Sequence, residues 1–361
     1  MRAFVLASLS FSLLVAGCSN SKNPGQGTDA GDDQPVDAAP TVLTGEVHML
    51  TFPTVHLEPG QEDTKCVLMR LPNAAEIKVH KFHNHLSQQS HHLIVYKDDM
   101  DTTEQLEPFK CQPFTGALNS TGMIAPIMIT QKQDDLLELP NDVGYTFAAT
   151  QMIKLEMHYI NTQDTAQDAN ATVEFQVADP TTVHQEANIL FIGDADITIP
   201  AGQSETLDAF FTVPYTKISL KDSKIFAITG HTHKLGTNMT VAVGTSKTDT
   251  APTSVYAPTP FSWSEPETTR HDPEFSVPDG GGFKFSCSWQ NTTNQQVNFG
   301  ESANNEMCFF WAYYYPSQGA KVCIHTKQFG GANGLDVCCP GDSLCSLVDG
   351  FLDGQGSGSG G

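Results

Sequence analysis

Ile228-Thr229-Gly230-His231-Thr232-His233-Lys234-Leu235-Gly236 is the stretch with the clearest chemical potential. Residues two apart on an extended strand project from one face, so His231 and His233 can offer two imidazoles to one metal ion. A His-x-His pair alone is a weak signal, because most such pairs are ordinary surface or core histidines. Four other places add to it: the doublet His91-His92, His158 within Leu155-Glu156-Met157-His158-Tyr159, Met307 within Asn305-Glu306-Met307-Cys308, and the cysteines around them. Two imidazoles and a thioether form a selective donor set. Soft sulfur favours Cu(I), imidazole serves both oxidation states of copper, and zinc rarely recruits methionine. The all-nitrogen set His91, His92 and His158 suits copper and zinc alike. Adjacent histidines on a regular strand point to opposite faces, so His91 and His92 can share an ion only at a strand end, a twist or a bulge. His80, His83 and His85 make a further cluster. The alternation of Ala75 to Phe82 makes His83 and His85 surface groups, or support for the ligands, rather than a third metal site.

Short extended segments must position these side chains. Ala75-Glu76-Ile77-Lys78-Val79-His80-Lys81-Phe82, Thr172-Val173-Glu174-Phe175-Gln176-Val177 and Phe283-Lys284-Phe285-Ser286-Cys287-Ser288-Trp289 alternate, and Gly or Pro breaks separate them. The pattern predicts an all-β protein of two antiparallel β-sandwich domains in tandem, jelly-roll-like, with at most short helices such as one near Thr103 to Leu106. A seam near Asp179-Pro180 divides the body into an N-terminal copper domain, 44–180, and a C-terminal copper domain, 181–320. Residues 321–349 hold Cys323, Cys338, Cys339 and Cys345 and read as a small disulfide-rich appendage. A bond between neighbours Cys338 and Cys339 would be strained, so each is expected to reach Cys323 or Cys345.

The remaining segments speak to location. Arg2, the apolar run Ala3 to Val15 and Leu14-Val15-Ala16-Gly17-Cys18 read as a lipoprotein signal over 1–18, with Cys18 as the lipidated mature N-terminus. Residues 19–43 form a polar linker and 350–361 a flexible tail. The expectation is an exported chain, lipid-anchored to a bacterial cell envelope. Eight cysteines besides Cys18 make four disulfides the natural count in an oxidising setting. The net charge of -22, from 41 acidic against 19 basic residues without a Lys/Arg cluster, excludes nucleic acid as a partner.

At this point the motifs resemble a family. Cys66-Val67-Leu68-Met69-Arg70-Leu71-Pro72, His91-His92-Leu93, Leu155 to Tyr159, Phe226-Ala227 leading to His231-Thr232-His233, and Glu306-Met307-Cys308 with Tyr314-Tyr315-Pro316 are similar, in order and spacing, to the copper type II, ascorbate-dependent monooxygenases. Peptidylglycine alpha-hydroxylating monooxygenase and dopamine beta-monooxygenase are members of that family. The resemblance covers roughly Cys66 to Pro316. It implies two β-sandwiches facing each other across a wet cleft, each with one copper ion. His91, His92 and His158 would bind the electron-relaying ion, and His231, His233 and Met307 the catalytic ion that uses dioxygen to hydroxylate an unactivated C–H bond. Ascorbate would be the reductant. The resemblance also implies disulfides Cys66–Cys111 and Cys287–Cys308. Where the peptide-amidating branch holds a substrate carboxylate with Arg, Asn and Tyr, this chain has Thr229, Phe309 and Trp311. A less charged or aromatic small molecule fits these better than a glycine-extended peptide.

Two other readings compete. Gly230-His231-Thr232-His233 with Gly193-Asp194-Ala195-Asp196 resembles pieces of a metallophosphoesterase, but the Asp-x-His and Gly-Asn-His blocks that such a site needs are missing. A non-catalytic copper-binding surface lipoprotein on the same scaffold is the other, and the full ligand set argues against it.

Overall fold

Alternating apolar residues lay down strands throughout the chain. The computed structural model describes residues 38–111, 123–213, 218–220, 222–300, 302–327 and 334–346. The expected signal segment, Cys18, most of the linker and the tail lie outside the described residues.

The first lobe is built in chain order from β1 (Leu43–Leu57), β2 (Glu62–Arg70), β3 (Ile77–Leu86), β4 (Ser90–Asp98), β5 (Gln105–Lys110) and β6 (Ile124–Thr130). It continues with β7 (Asp134–Glu138), β8 (Asp142–Phe147), β9 (Met152–Ile160), β10 (Gln167–Ala178) and β11 (Val183–Glu186). The second lobe begins with β12 (Asn188–Asp194), β13 (Thr198–Ile199), β14 (Ser204–Thr212), β15 (Lys224–His231), β16 (Gly236–Gly244) and β17 (Thr253–Tyr256). It ends with β18 (Thr268–Phe275), β19 (Gly282–Gln290), β20 (Val297–Asn298), β21 (Phe309–Tyr315), β22 (Lys321–Thr326) and β23 (Leu335–Cys339).

In the first lobe one sheet runs β1-β10-β3-β8-β11, with β7 also paired to β3, and the other runs β5-β2-β9-β4-β6. Phe82, Phe147 and Phe175 meet edge to face between them, with Tyr145 against Phe82. In the second lobe the sheet β18-β15-β21-β12-β22-β23 packs on β14-β19-β16-β17, where Phe310 meets Phe283 and Phe285. The fold is thus all-β and of sandwich type, as the alternation predicts.

Three details depart from the sequence expectation or sharpen it. Residues 103–106 are not helical. Strand β5 starts at Gln105 and pairs with β2, and Glu104 accepts the Arg70 backbone N–H at 2.8 Å, so the segment is held extended. The cysteine-rich stretch is no separate appendage: β22 runs parallel to β12, and β23 extends the same sheet. Val322, Cys323, Ile324 and Val337 are buried there, which makes it core of the second lobe. All four disulfides are present: Cys66–Cys111, Cys287–Cys308, Cys323–Cys338 and Cys339–Cys345. Such a set suits an oxidising, extracytoplasmic setting.

Polar contacts close the two lobes on each other. The Tyr313 hydroxyl of β21 donates to the Ile129 carbonyl of β6 at 3.3 Å and accepts its N–H at 3.1 Å. The Glu186 carboxylate accepts from the Thr146 N–H at 2.8 Å, while its carbonyl accepts from Ser317 N–H at 2.8 Å.

Gly193 stands directly opposite Phe309 across the β12–β21 pair, and a Cβ there would fall 2.0 Å from the Phe309 ring. That ring is pinned by stacking on Phe191 at 5.0 Å. Gly193→Ala is therefore expected to destabilise the protein by about 1–3 kcal/mol through overpacking, read as a lower denaturation midpoint.

Candidate metal centre

His91 and His92 sit at the start of β4, and the required irregularity is present. The register against β9 slips between Ser90, opposite Tyr159, and His92, opposite His158. The extra residue of this bulge is His91, which brings its ring to the same side as its neighbour. The Nδ1 atoms of His91 and His92 are 3.3 Å apart, and ligand nitrogens of both and of His158 lie within 4.8 Å of one another. Two ligands on one ion with bonds of about 2.0 Å are about 3.3 Å apart in a tetrahedral arrangement. The His91 Nε2 is buried without a hydrogen-bond partner.

His158 is oriented by a carboxylate. Its Nε2 donates to Glu62 Oε1 at 3.0 Å, which leaves the Nδ1 lone pair for a ligand. Burial alone would raise the Glu62 carboxyl. Hydrogen bonds from His158, the Ala303 N–H and the Ser302 hydroxyl override it and bring it down to about 2. Ala303 and Ser302 belong to the second lobe, at 2.8 and 3.3 Å from Glu62.

His231 is the last residue of β15, so the strand expected to carry both histidines ends between them. His233 lies in the following turn, closed by the Gly236 N–H donating to the His233 carbonyl at 2.9 Å. Glu306 sets that turn. Its carboxylate accepts the His233 N–H at 2.9 Å, the Leu235 N–H at 2.7 Å and the Trp289 indole N–H at 2.8 Å. Burial pushes the Glu306 carboxyl up to about 7 against these donors. The two imidazoles still converge, with ring centres 5.1 Å apart. His231 Nδ1 donates to Gln131 of the first lobe at 2.8 Å, and His233 Nδ1 donates to the Asn305 carbonyl at 3.1 Å. In both neutral rings the Nε2 lone pair is left for a ligand. Met307 is buried between Glu306 and Cys308, whose disulfide to Cys287 ties it to β19.

Burial, reinforced by neighbouring histidines, lowers the pKa of His91, His92 and His231 well below the ordinary value. For His233 burial brings it to about 4. The rings are neutral at pH 7 and keep the lone pairs that metal binding needs. The spacing of the His91, His92 and His158 trio fits a metal ion, the lowered pKa values keep the rings as ligands, and the donor types, with Met307 buried next to Glu306, are ones copper accepts.

The lobes do not face each other across a wet cleft as the family resemblance implies. The His91 ring centre is 6.5 Å from that of His231 and 6.3 Å from that of His233, and all five imidazoles are buried. Trp263 of the second lobe stacks on the outer side of His91 at 6.0 Å. Between His92, Gln131, Phe191, His231 and Trp311 remains a cavity of about 10 Å³, room for about one water. The Gln131 and Glu62 bonds across the seam hold this closed arrangement.

The other singled-out residues fall elsewhere. Asp194 and Asp196 group with His325 rather than with His231 and His233, and Asp196 is taken up by the Lys327 N–H at 2.7 and 2.9 Å, which gives no binuclear phosphoesterase site. Phe310 is core, whereas Trp311 lies 6.3 Å from His231. Thr229 is paired with the Thr268 hydroxyl at 2.8 Å. Glu62, Gln131 and Trp263 carry no local sequence signal; Glu306 does, standing beside Met307 in the Glu-Met-Cys motif.

Residues 185–330 match the family model of the copper type II ascorbate-dependent monooxygenase, C-terminal domain. The match supports the resemblance read from the motifs over that span, and the family it names is copper- and ascorbate-dependent. Among solved structures, the major capsid protein P2 of bacteriophage PM2 is 7% identical over 74% of this chain and 100% of its own, with a TM-score of 0.31. PNGase F, a glycosylasparaginase from Flavobacterium meningosepticum, is 9% identical over 75% and 97%, with a TM-score of 0.30. Likenesses this remote carry no argument. Curated proteins give no match.

Glu306→Gln would turn an amide N–H₂ toward backbone and indole donors. We expect a loss of about 1–3 kcal/mol of stability, together with weaker copper retention, measured by denaturant titration and by metal content after dialysis.

Proposed function

We propose that the chain is a copper-dependent monooxygenase that hydroxylates an unactivated C–H bond of a small organic or peptide-like substrate, using dioxygen and ascorbate or another one-electron reductant. The observation that carries this is the convergence of donors from both lobes. His91, His92 and His158 lie against His231 and His233 inside one buried chamber, with Met307 adjacent in chain to the carboxylate that sets His233. Two copper ions, held by the first-lobe trio and by His231, His233 and Met307, would supply the redox chemistry and dioxygen binding.

The remaining work belongs to the chain. Glu62 fixes the His158 ring, Gln131 fixes His231 from across the seam, and Glu306 fixes the turn that presents His233. Phe191, Phe309 and Trp311 wall the chamber with stacked rings and keep water out. The cavity lined by His92, Ile129, Gln131, Phe191, His231 and Trp311 offers no Lys or Arg, which supports an uncharged or aromatic substrate rather than a terminal carboxylate. The cavity beside His92 and His231 has room for about one water, so the centre must open before any substrate enters. Gln131 and Trp263, next to His231 and His91, both come from connecting loops. That same small volume is the one feature favouring a non-catalytic copper-binding lipoprotein. Cys18 would hold the protein by lipid to a bacterial envelope.

The test is to load the protein with copper, add ascorbate, follow oxygen uptake, and offer aromatic amines, phenols and glycine-extended peptides while watching for a mass gain of one oxygen. We expect turnover on the uncharged or aromatic class and a fall of roughly 100-fold or more in Met307→Ala, with the first-lobe metal retained. Copper binding without ascorbate-dependent oxygen uptake would leave the non-catalytic reading standing.

A further inference from the structure

A second histidine cluster lies outside the chamber, on the outward side of the sheet β1-β10-β3-β8-β11. His83 and His85 are two apart on β3 and share that side, with ring centres 4.1 Å apart. Strand register adds carboxylates from both neighbours: Asp134 of β7 stands opposite His85, and Glu174 of β10 opposite His83. Asp134 Oδ1 is 2.6 Å from His83 Nε2, and its Oδ2 is 3.7 Å from His85 Nδ1. One ligand atom from each of the three lies within 4.8 Å of the others.

We propose that His83, His85 and Asp134 form an exterior site for a divalent transition ion of the borderline class, Zn²⁺ or Cu²⁺. Two imidazoles and a carboxylate make a donor set for such ions, and solvent supplies the remaining positions. Glu174 provides the outer support that ligating histidines ordinarily have. Its Oε2 faces the His83 Nδ1 at 3.8 Å, which favours the proton there and turns Nε2 inward as the ligand. An ion here would replace the present contact between His83 Nε2 and Asp134 Oδ1. Three paired strands carry the four groups, so the site is preformed to a degree that loop histidines are not. His80, their neighbour two residues earlier, takes no part: it is buried, and its Nδ1 donates to the Val143 carbonyl at 2.8 Å. The site shares no residue with the chamber and stands independently of the proposed oxygenase activity.

The test is equilibrium dialysis of the metal-free protein against Zn²⁺ alone, with bound metal counted by mass spectrometry, for the unaltered chain and for H85Q, D134N and E174Q. H85Q and D134N should each bind one Zn²⁺ fewer per chain, and E174Q should keep that equivalent with an affinity lowered roughly 10–100-fold. The unfolding midpoint of the metal-free protein should be the same in all four. Equal Zn²⁺ equivalents in H85Q, D134N and the unaltered chain would overturn the proposal. So would a loss that appears only with a lowered midpoint, because it would then report damage to the sheet.

Discussion

One carboxylate joins the two halves of the centre. Glu62, at the start of β2, accepts from the His158 ring on its own lobe and from the backbone of Ala303 and the hydroxyl of Ser302 on the other. It therefore orients a first-lobe imidazole and pins, with the same group, the segment that leads to Glu306 and Met307. The bond is strong because Glu62 is ionised while partly withdrawn from water, where each donor counts for more than it would at the surface. Gln131 makes the reciprocal contact, first lobe to His231. Each lobe completes the other's ligand support, and this explains why the five imidazoles are gathered in one place rather than held as two distant sets.

Burial then does the rest. Imidazoles removed from water are costly unless their N–H groups are paired, and three of the five have such partners: His158 with Glu62, His231 with Gln131, His233 with the Asn305 carbonyl. The atoms left over include the lone pairs of His158 Nδ1, His231 Nε2 and His233 Nε2, and the His91 and His92 Nδ1 atoms face each other at 3.3 Å. A protein core does not ordinarily collect such acceptors in the absence of donors. A cation that accepts several lone pairs would resolve that imbalance, and copper is the ion that the proposed function calls for.

The candidate ligands were legible in the chain and their supports were not. Ligand types and the alternation that gives sandwiches rest on residue type and local spacing. The pairs Cys66–Cys111 and Cys287–Cys308 came from the family resemblance, and adjacency said only that Cys338 and Cys339 bond elsewhere than to each other. The bulge at His91 was legible only as a requirement: adjacent histidines needed it, yet nothing in Ser90-His91-His92-Leu93 announces it. The turn that carries His233 off β15 was hidden for a similar reason. Its cause, the Glu306 carboxylate, arrives from more than seventy positions away. Glu62 and Gln131 are ordinary polar residues in sequence, and only tertiary contact makes them supports. Dense cysteines over 321–349 signal a stapled unit, and what they do not announce is that Val322, Ile324 and Val337 are buried in β22 and β23, strands of the larger second-lobe sheet.

The closed arrangement has its own energetic reading. The polar ties that cross the seam at the centre are Gln131 to His231, Glu62 to Ser302 and Ala303, and Tyr313 to Ile129. A typical hydrogen bond contributes about 0.5–1.5 kcal/mol net, because water replaces the lost partner when it breaks. Parting these ties as the lobes separate therefore exposes groups that water can satisfy, at a cost of a few kcal/mol, whereas parting the apolar interior of either sandwich would offer no such replacement. The seam passes directly through the histidines, and apolar residues of both lobes, Ile129 with Phe191 and Trp311, line it beside those ties. Its polar groups can be satisfied by water or by one another, so the ties orient the ligands at little net cost in either state.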